Sequence, residues 1–237
     1  MVTKKIVILT GSGVSAESGV ATFRDQGGIW TQYDYRDVAT PEGFASNPGL
    51  VHSFYNDRRS ALPNVEPNAA HIALAKLERE VESSGGNVTI ITQNVDDLHE
   101  RGGSVNVLHM HGELSKSICT NCNAIRKCNV PMSIETMCSE CSRSGSLRPY
   151  VVWFGEMPRF MDEAMDAILS ADFFVSIGTS GSVYPAAGFV SHAHAVGVAT
   201  MELNLEPSEN AHLFSDTQYG PATEIVPDWV EAVVRQM

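Results

Sequence analysis

Lys4-Lys5-Ile6-Val7-Ile8-Leu9-Thr10-Gly11-Ser12-Gly13-Val14-Ser15-Ala16 decides how the rest of the chain is read. Ile6 to Leu9 is a short β-branched apolar run between two lysines and a glycine, and the pattern predicts a buried strand. The Gly11-x-Gly13-x-x-Ala16 that follows has the spacing of a diphosphate-binding turn. Gly11 permits the tight turn off the strand, and Gly13 lets backbone approach the anion. Ala16 is small enough for the next helix to pack on the strand, with its N-terminal amides toward the anion. A glycine-rich turn with no ligand would have the same sequence. An ordinary dinucleotide fold also carries an acid at the end of a second strand about 20 residues on. Here that distance falls in Trp30 to Asp34, which no strand precedes, so a second ribose must be held by something else.

Working outward, the 237 residues are 43% hydrophobic, enough for a sizeable core in one domain with insertions or in two domains. The net charge of -12 and the lack of a basic stripe argue against a nucleic-acid partner. No apolar stretch approaches membrane-spanning length, and the N-terminal apolar run is too short for a signal peptide. The expectation is a cytoplasmic protein with no membrane partner, whose five cysteines are metal ligands or free thiols rather than disulfides.

Ser46-Asn47-Pro48 predicts a helix start, with the helix running past Tyr55 and Arg58 to about Leu62. Taken alone, Tyr55 to Arg59 reads as a solvated helix face. A second helix is expected over Pro67 to Glu82, with Ala70, Leu74 and Leu77 buried and Glu78-Arg79-Glu80 as surface charge. Further strands are expected at Asn87–Thr92, Val105–Met110, Tyr150–Phe154, Phe173–Ile177 and Ala199–Leu203, with a helix over Pro158 to Leu169. A short apolar piece at Glu224–Val226 and a helix after Pro227 close the chain. Polar or small clusters follow several strands: Gln93 to Asp97, Gly178 to Ser182, and Asn204 to Glu206. That pattern predicts a doubly wound parallel α/β sheet, Rossmann-like, with a ligand across its carboxyl edge.

Cys119-x-x-Cys122 and Cys138-x-x-Cys141, fifteen residues apart, match a four-cysteine zinc ribbon. Four thiolates leave no open position on the metal, so the expected role is structural. Cys128 is surplus to the tetrahedron. Segments 28–66, helical, and 113–148, the ribbon, interrupt the α/β alternation. The expected division is therefore a sheet part at 1–27, 67–112 and 149–237 with a small module built from the two insertions.

In sum these blocks resemble the sirtuin family, and within it the bacterial CobB type. The likeness is carried by Gly11 to Arg24, Thr92-Gln93-Asn94-Val95-Asp96, His111-Gly112, the two cysteine pairs, Phe154-Gly155-Glu156, Gly178-Thr179-Ser180 and Asn204-Leu205-Glu206. They stand in the family's order over nearly the whole chain. Ala21-Thr22-Phe23-Arg24 and Tyr55-x-x-Arg58 are the marks of the subgroup. The resemblance implies NAD-dependent removal of acyl groups from lysine side chains of proteins, yielding nicotinamide, O-acyl-ADP-ribose and free lysine.

It also implies His111 as the general base, a suitable use of a group that titrates near neutrality. His109, two residues earlier on the expected strand, could face the same side, and His111 is chosen because the family's base directly precedes a glycine. NAD would be held by Gly11, Ser12, Gly13, Ser15, Ala16, Thr22, Phe23, Arg24, Trp30, Gln93, Asn94, Val95, Asp96, Gly178, Thr179, Ser180, Asn204, Leu205, Glu206 and Ala222. Val152, Phe154, Gly155 and Glu156 would meet the acyl-lysine peptide. Arg58, with Tyr55, would meet an acidic acyl group such as succinyl, because a guanidinium can grip a carboxylate with two parallel hydrogen bonds. Ser12 departs from the family's usual Ala. Transfer of ADP-ribose to a protein by the same NAD site, a non-catalytic NAD-binding regulator and a zinc-ribbon nucleic-acid binder are the competing readings.

Overall fold

A computed structural model describes residues 4–22 and 28–237. Its strands are β1 (Lys5–Thr10), β2 (Asn87–Thr92), β3 (Val107–His109), β4 (Gly112–Cys119), β5 (Ile125–Lys127), β6 (Leu147–Val151), β7 (Phe173–Ile177), β8 (Ala199–Asn204) and β9 (Asp216–Tyr219). The helices are α1 (Gly13–Ala16), α2 (Ile29–Gln32), α3 (Tyr35–Val38), α4 (Pro41–Ser46), α5 (Pro48–Ala61), α6 (Ala69–Ser83), α7 (Leu98–Arg101), α8 (Met161–Leu169), α9 (Phe189–Ala195) and α10 (Ala222–Arg235).

Six strands form one parallel sheet in the order β3-β2-β1-β7-β8-β9. The chain winds outward one way from β1 and the other way from β7, so the strand order reverses between them. A crevice opens at such a reversal, at the carboxyl ends of the strands. Alternation along β1 divides the core. Ile6 and Ile8 face one layer with Leu74 and Leu77 of α6 and Trp229 of α10. Val7 and Leu9 face the other, with Ile168 of α8 and Phe189 of α9.

A second sheet, β5-β4-β6, is antiparallel and belongs to the small module. Asn47 caps α5 by accepting from the Leu50 amide, and Pro48 takes the first helical position, as the sequence predicts. Far from presenting a solvated face, α5 is the module's hub. Phe54 and Tyr55 are buried against Leu114, Val151 and Trp153. Arg59 donates to the Leu114 carbonyl, and Asn56 pairs with both backbone groups of Met132. Within the described residues, no helix is long and apolar enough to cross a membrane.

Several sequence expectations need correction. The strand expected at Tyr150–Phe154 is β6, shifted toward the N-terminus and paired antiparallel with β4 rather than in the main sheet. The small sheet thus reaches past residue 148. The strand expected to begin at Val105 begins at Val107, because the Glu78 carboxylate takes the amides of Val105 and Asn106. Glu78 is therefore a buried cap and not surface charge. Glu224–Val226 lies inside α10, which runs through Pro227. Neither β9 nor α9 was expected from the sequence. The helix after the glycine turn is a single turn, α1, so its amide dipoles give little pull on an anion.

Candidate functional site

Thr10 ends β1 at the point where the strand order reverses, and Gly11 to Gly13 run directly against the loop after β7. Gly11 donates to the Ile177 carbonyl at 3.0 Å and Gly13 to the Gly178 carbonyl at 2.8 Å. A side chain at Gly13 would place its Cβ 2.7 Å from the Gly178 Cα, and Gly178 itself holds φ +62°. Glycine is needed at both positions because two backbones touch there. Above this contact lies a cleft of about 1050 Å³ between the main sheet and the small module.

The cleft brings together most of the residues read from the sequence. Gly11, Ser12, Gly13 and Ala16 form one lip, Gly178, Thr179 and Ser180 the next, and Asn204, Leu205, Glu206 and Ala222 the far end. Gln93, Asn94, Val95 and His111 line the middle. Trp30, Tyr55, Arg58, Val152, Phe154, Gly155 and Glu156 line the module side. Ser15 and Asp96 are buried beneath the lining rather than in it. Thr22 also lies outside it and gives its carbonyl to the Ile29 amide. Phe23 and Arg24 lie outside the described residues.

Beneath the middle runs a buried polar network. Thr10 donates to Thr92 at 2.8 Å, Thr92 accepts from the Asn94 amide at 3.0 Å, and the Asn94 side chain donates to Ser15 at 3.1 Å. Ser15 also meets His71 Nε2 at 3.3 Å and bonds Asp96. Burial pushes the Asp96 carboxyl up, against the opposing pull of the Leu98 amide and Ser15. These bonds fix the Gln93–Asp96 loop before any ligand arrives.

His111 follows β3 in the turn into β4, and its Nδ1 lies 3.1 Å from the Gln93 carbonyl. A carbonyl only accepts, so Nδ1 carries the proton and Nε2 the lone pair. Burial depresses the His111 pKa, only partly offset by the Gln93 bond, so the ring is a neutral base at pH 7. The His111 carbonyl in turn receives the Val152 amide at 2.8 Å, which ties the base to the module side. His109, the alternative from the sequence, does not line the cleft.

On the module side, Trp153 Nε1 donates to the Tyr55 hydroxyl at 2.9 Å. Arg58 lies 3.4 Å above the Phe54 ring and donates to the Phe54 carbonyl at 3.0 Å. Its Nε is buried with no partner among the described residues, and burial lowers its pKa without threatening its charge. Glu156 is turned inward. Its carboxylate takes two hydrogen bonds from Arg148 and one from the Trp153 amide, so it braces the Trp153–Glu156 loop. Phe54, Trp153 and Tyr184 also line the cleft and were not singled out from sequence. Phe54 and Trp153 fall inside the expected helix and strand, where nothing in the local sequence sets them apart.

The cleft fits a dinucleotide. The glycine cradle excludes any side chain, and Gln93 Nε2 is a buried donor without a partner among the described residues. At the ribbon, the Sγ atoms of Cys119, Cys122, Cys138 and Cys141 all lie within 4.8 Å of one another. Two of the pairs stand at 3.7 Å. A tetrahedron with metal–sulfur bonds of about 2.3 Å has edges of about 3.8 Å, so the donors fit zinc.

Fold and site together define the class: a Rossmann-like α/β protein with a ribbon-bearing insertion module and a dinucleotide cleft between them. The sequence profile of the Sir2 family matches residues 11–185. An NAD-dependent protein deacylase from Caulobacter vibrioides is 57% identical over 233 residues, 98% of each chain. A Sir2 homolog–NAD complex superposes with a TM-score of 0.86 at 40% identity, over 98% of this chain and 89% of that one. A Sir2 bound to acetylated peptide gives 0.82 at 27%, over 96% and 92%. The chain belongs to the Sir2 family.

Proposed function

We propose that this protein is an NAD-dependent protein-lysine deacylase acting on acetyl and on acidic acyl groups. The Caulobacter vibrioides relative bears the deacylase name, and solved relatives hold NAD and an acetylated peptide. The observation that carries the reading is a neutral, half-buried His111 set between the glycine cradle and an aromatic tunnel.

Gly11, Gly13 and Gly178 take the diphosphate on bare backbone, and Asn204 to Glu206 with Ala222 take the adenosine end. Gln93 and Asn94 take the nicotinamide ribose, with Asp96 bracing their loop from beneath through Ser15 and the Leu98 amide. Bound there, NAD supplies an electrophilic ribose carbon with nicotinamide as leaving group. His111 accepts a proton at Nε2 from a ribose hydroxyl, and the Gln93 carbonyl holds the imidazolium that results. Phe154 and Val152 exclude water along the acyl-lysine. Arg58, with an unpartnered donor at the tunnel end, meets an acyl carboxylate, with Tyr55 beside it. The four cysteines hold zinc as a structural ion and take no part in the chemistry.

The test is mass spectrometry of one lysine peptide in acetyl and succinyl forms, with and without NAD. NAD-dependent loss of acetyl with O-acetyl-ADP-ribose formed is the expected result. NAD consumption with ADP-ribose attached to protein and the acyl group left in place would refute it.

A further inference from the structure

The loop after β2 is held by two histidines. His111 Nδ1 meets the Gln93 carbonyl at 3.1 Å, and His109 Nδ1 meets the next carbonyl, that of Asn94, at 3.2 Å. Their other nitrogens differ. His111 keeps Nε2 for the cleft, whereas His109 Nε2 lies 2.6 Å from a carboxylate oxygen of Glu100 on α7. A carbonyl and a carboxylate both only accept, so both nitrogens of His109 carry protons.

We propose that His109, as an imidazolium clamped between the Asn94 carbonyl and Glu100, is a positioning residue for the NAD-binding loop and sets the alkaline limit of its function. The inference rests on the deacylase reading above for what that loop binds. When the ring loses one proton, the carboxylate retains the N–H at Nε2 and Nδ1 turns a lone pair toward the Asn94 carbonyl. Two acceptors then face each other across 3.2 Å, and the loop is released. The Asn94 side chain that braces Ser15 and the Gln93 carbonyl that orients His111 move with it.

The charged and titratable groups around His109 favour the cation on balance. Burial opposes the charge, but the bond to Glu100, the charges of Glu100 and Glu113, and the Asn94 carbonyl together hold its pKa above the ordinary histidine value. Asp96 adds negative charge from the loop, and Lys116 of β4, paired with Glu113 at 2.6 Å, lies close enough to act on Glu100. His99, on the same helix as Glu100, is pushed well below its usual value by burial and stays neutral.

The experiment follows three readouts between pH 6 and 10 in the wild type, Glu100→Gln and His109→Asn. They are the NMR titration of His109 without ligand, NAD affinity by calorimetry, and deacetylation of an acetyl-lysine peptide. In the wild type, NAD affinity and turnover fall together through the His109 midpoint, by about tenfold, the scale set by leaving one buried acceptor without its donor. Glu100→Gln, at a half-exposed carboxylate, moves the His109 midpoint and both alkaline limbs down by about one pH unit. His109→Asn keeps a donor for the Asn94 carbonyl without a titrating group, and its alkaline limb disappears. A limb that stays in place when the NMR midpoint moves, or a wild-type midpoint below 6.5, overturns the clamp. No NAD-dependent deacetylation, with the affinity limb still following His109, would remove the deacylase reading and leave the clamp standing.

Discussion

The two walls of the cleft are built differently. The sheet wall is polar and backbone-rich: two glycine loops in contact, a loop fixed by buried hydrogen bonds, and a histidine hung from a carbonyl. The module wall is aromatic. Trp30, Phe54, Phe154 and Trp153 line it together with one guanidinium, that of Arg58, which lies on the Phe54 ring with its Nε unpaired among the described residues. A wall of fixed backbone suits a constant ligand, and a wall of side chains suits a variable one. On the proposed function, the sheet wall would serve every substrate alike and the module wall would sort them by acyl group.

The largest blow to that division is His111→Ala. Loss of a positioned base costs about 10²–10⁴ in rate, and equal losses are expected on acetyl and succinyl peptides with NAD binding retained. Unequal losses in steady-state kinetics would mean that the sheet wall also sorts substrates. Gly13→Ala comes next. Its Cβ would stand 2.7 Å from the Gly178 Cα, so the cradle must open. NAD affinity by calorimetry should fall at least about fivefold, an overpacking cost of about 1–3 kcal/mol, and by the same factor whichever peptide is present.

A third effect is on stability. Burial holds His71, beneath the sheet wall, at a pKa of about 4 against 6.5. Between those values the unfolded chain binds a proton that the native ring refuses, so stability falls as the pH falls from 6.5 toward 4. The loss is on the order of 3 kcal/mol, measurable by denaturant titration. His109 has the opposite sign: its pKa is raised, so its contribution is complete below the ordinary histidine value and lost as the pH rises through the native one. A His71→Asn protein should show a shallower acid decline.

The sheet wall was legible in the sequence because its parts are local. A β-branched run fixes a strand, glycine spacing fixes the turn, and the polar cluster comes at the strand's end; β2 and β7 fall where predicted. The ribbon was legible for the same reason, from four cysteines at fixed spacing. The module wall was named only through the family resemblance, because its meaning depends on distant partners. Phe54 matters through Arg58 above it and Trp153 across from it, 99 residues away in sequence. Glu78 looked like surface charge until two amides, 27 and 28 residues on, fell onto its carboxylate. Glu156, expected to meet substrate, lines the cleft with its carboxylate held by Arg148, a partner the sequence did not name. His109 and His111 looked equivalent by strand alternation, but β3 ends at His109 and the turn separates them.

One measurement tests the division of labour most directly: the ratio of desuccinylation to deacetylation on one peptide, as kcat/KM, in the wild type and in Arg58→Met. Two charge-assisted hydrogen bonds are at stake, each of about 1.5–3 kcal/mol. The ratio is expected to fall at least about 100-fold in the variant. An unchanged ratio, with both activities falling together, would contradict it and leave Arg58 as a brace for the Phe54 ring.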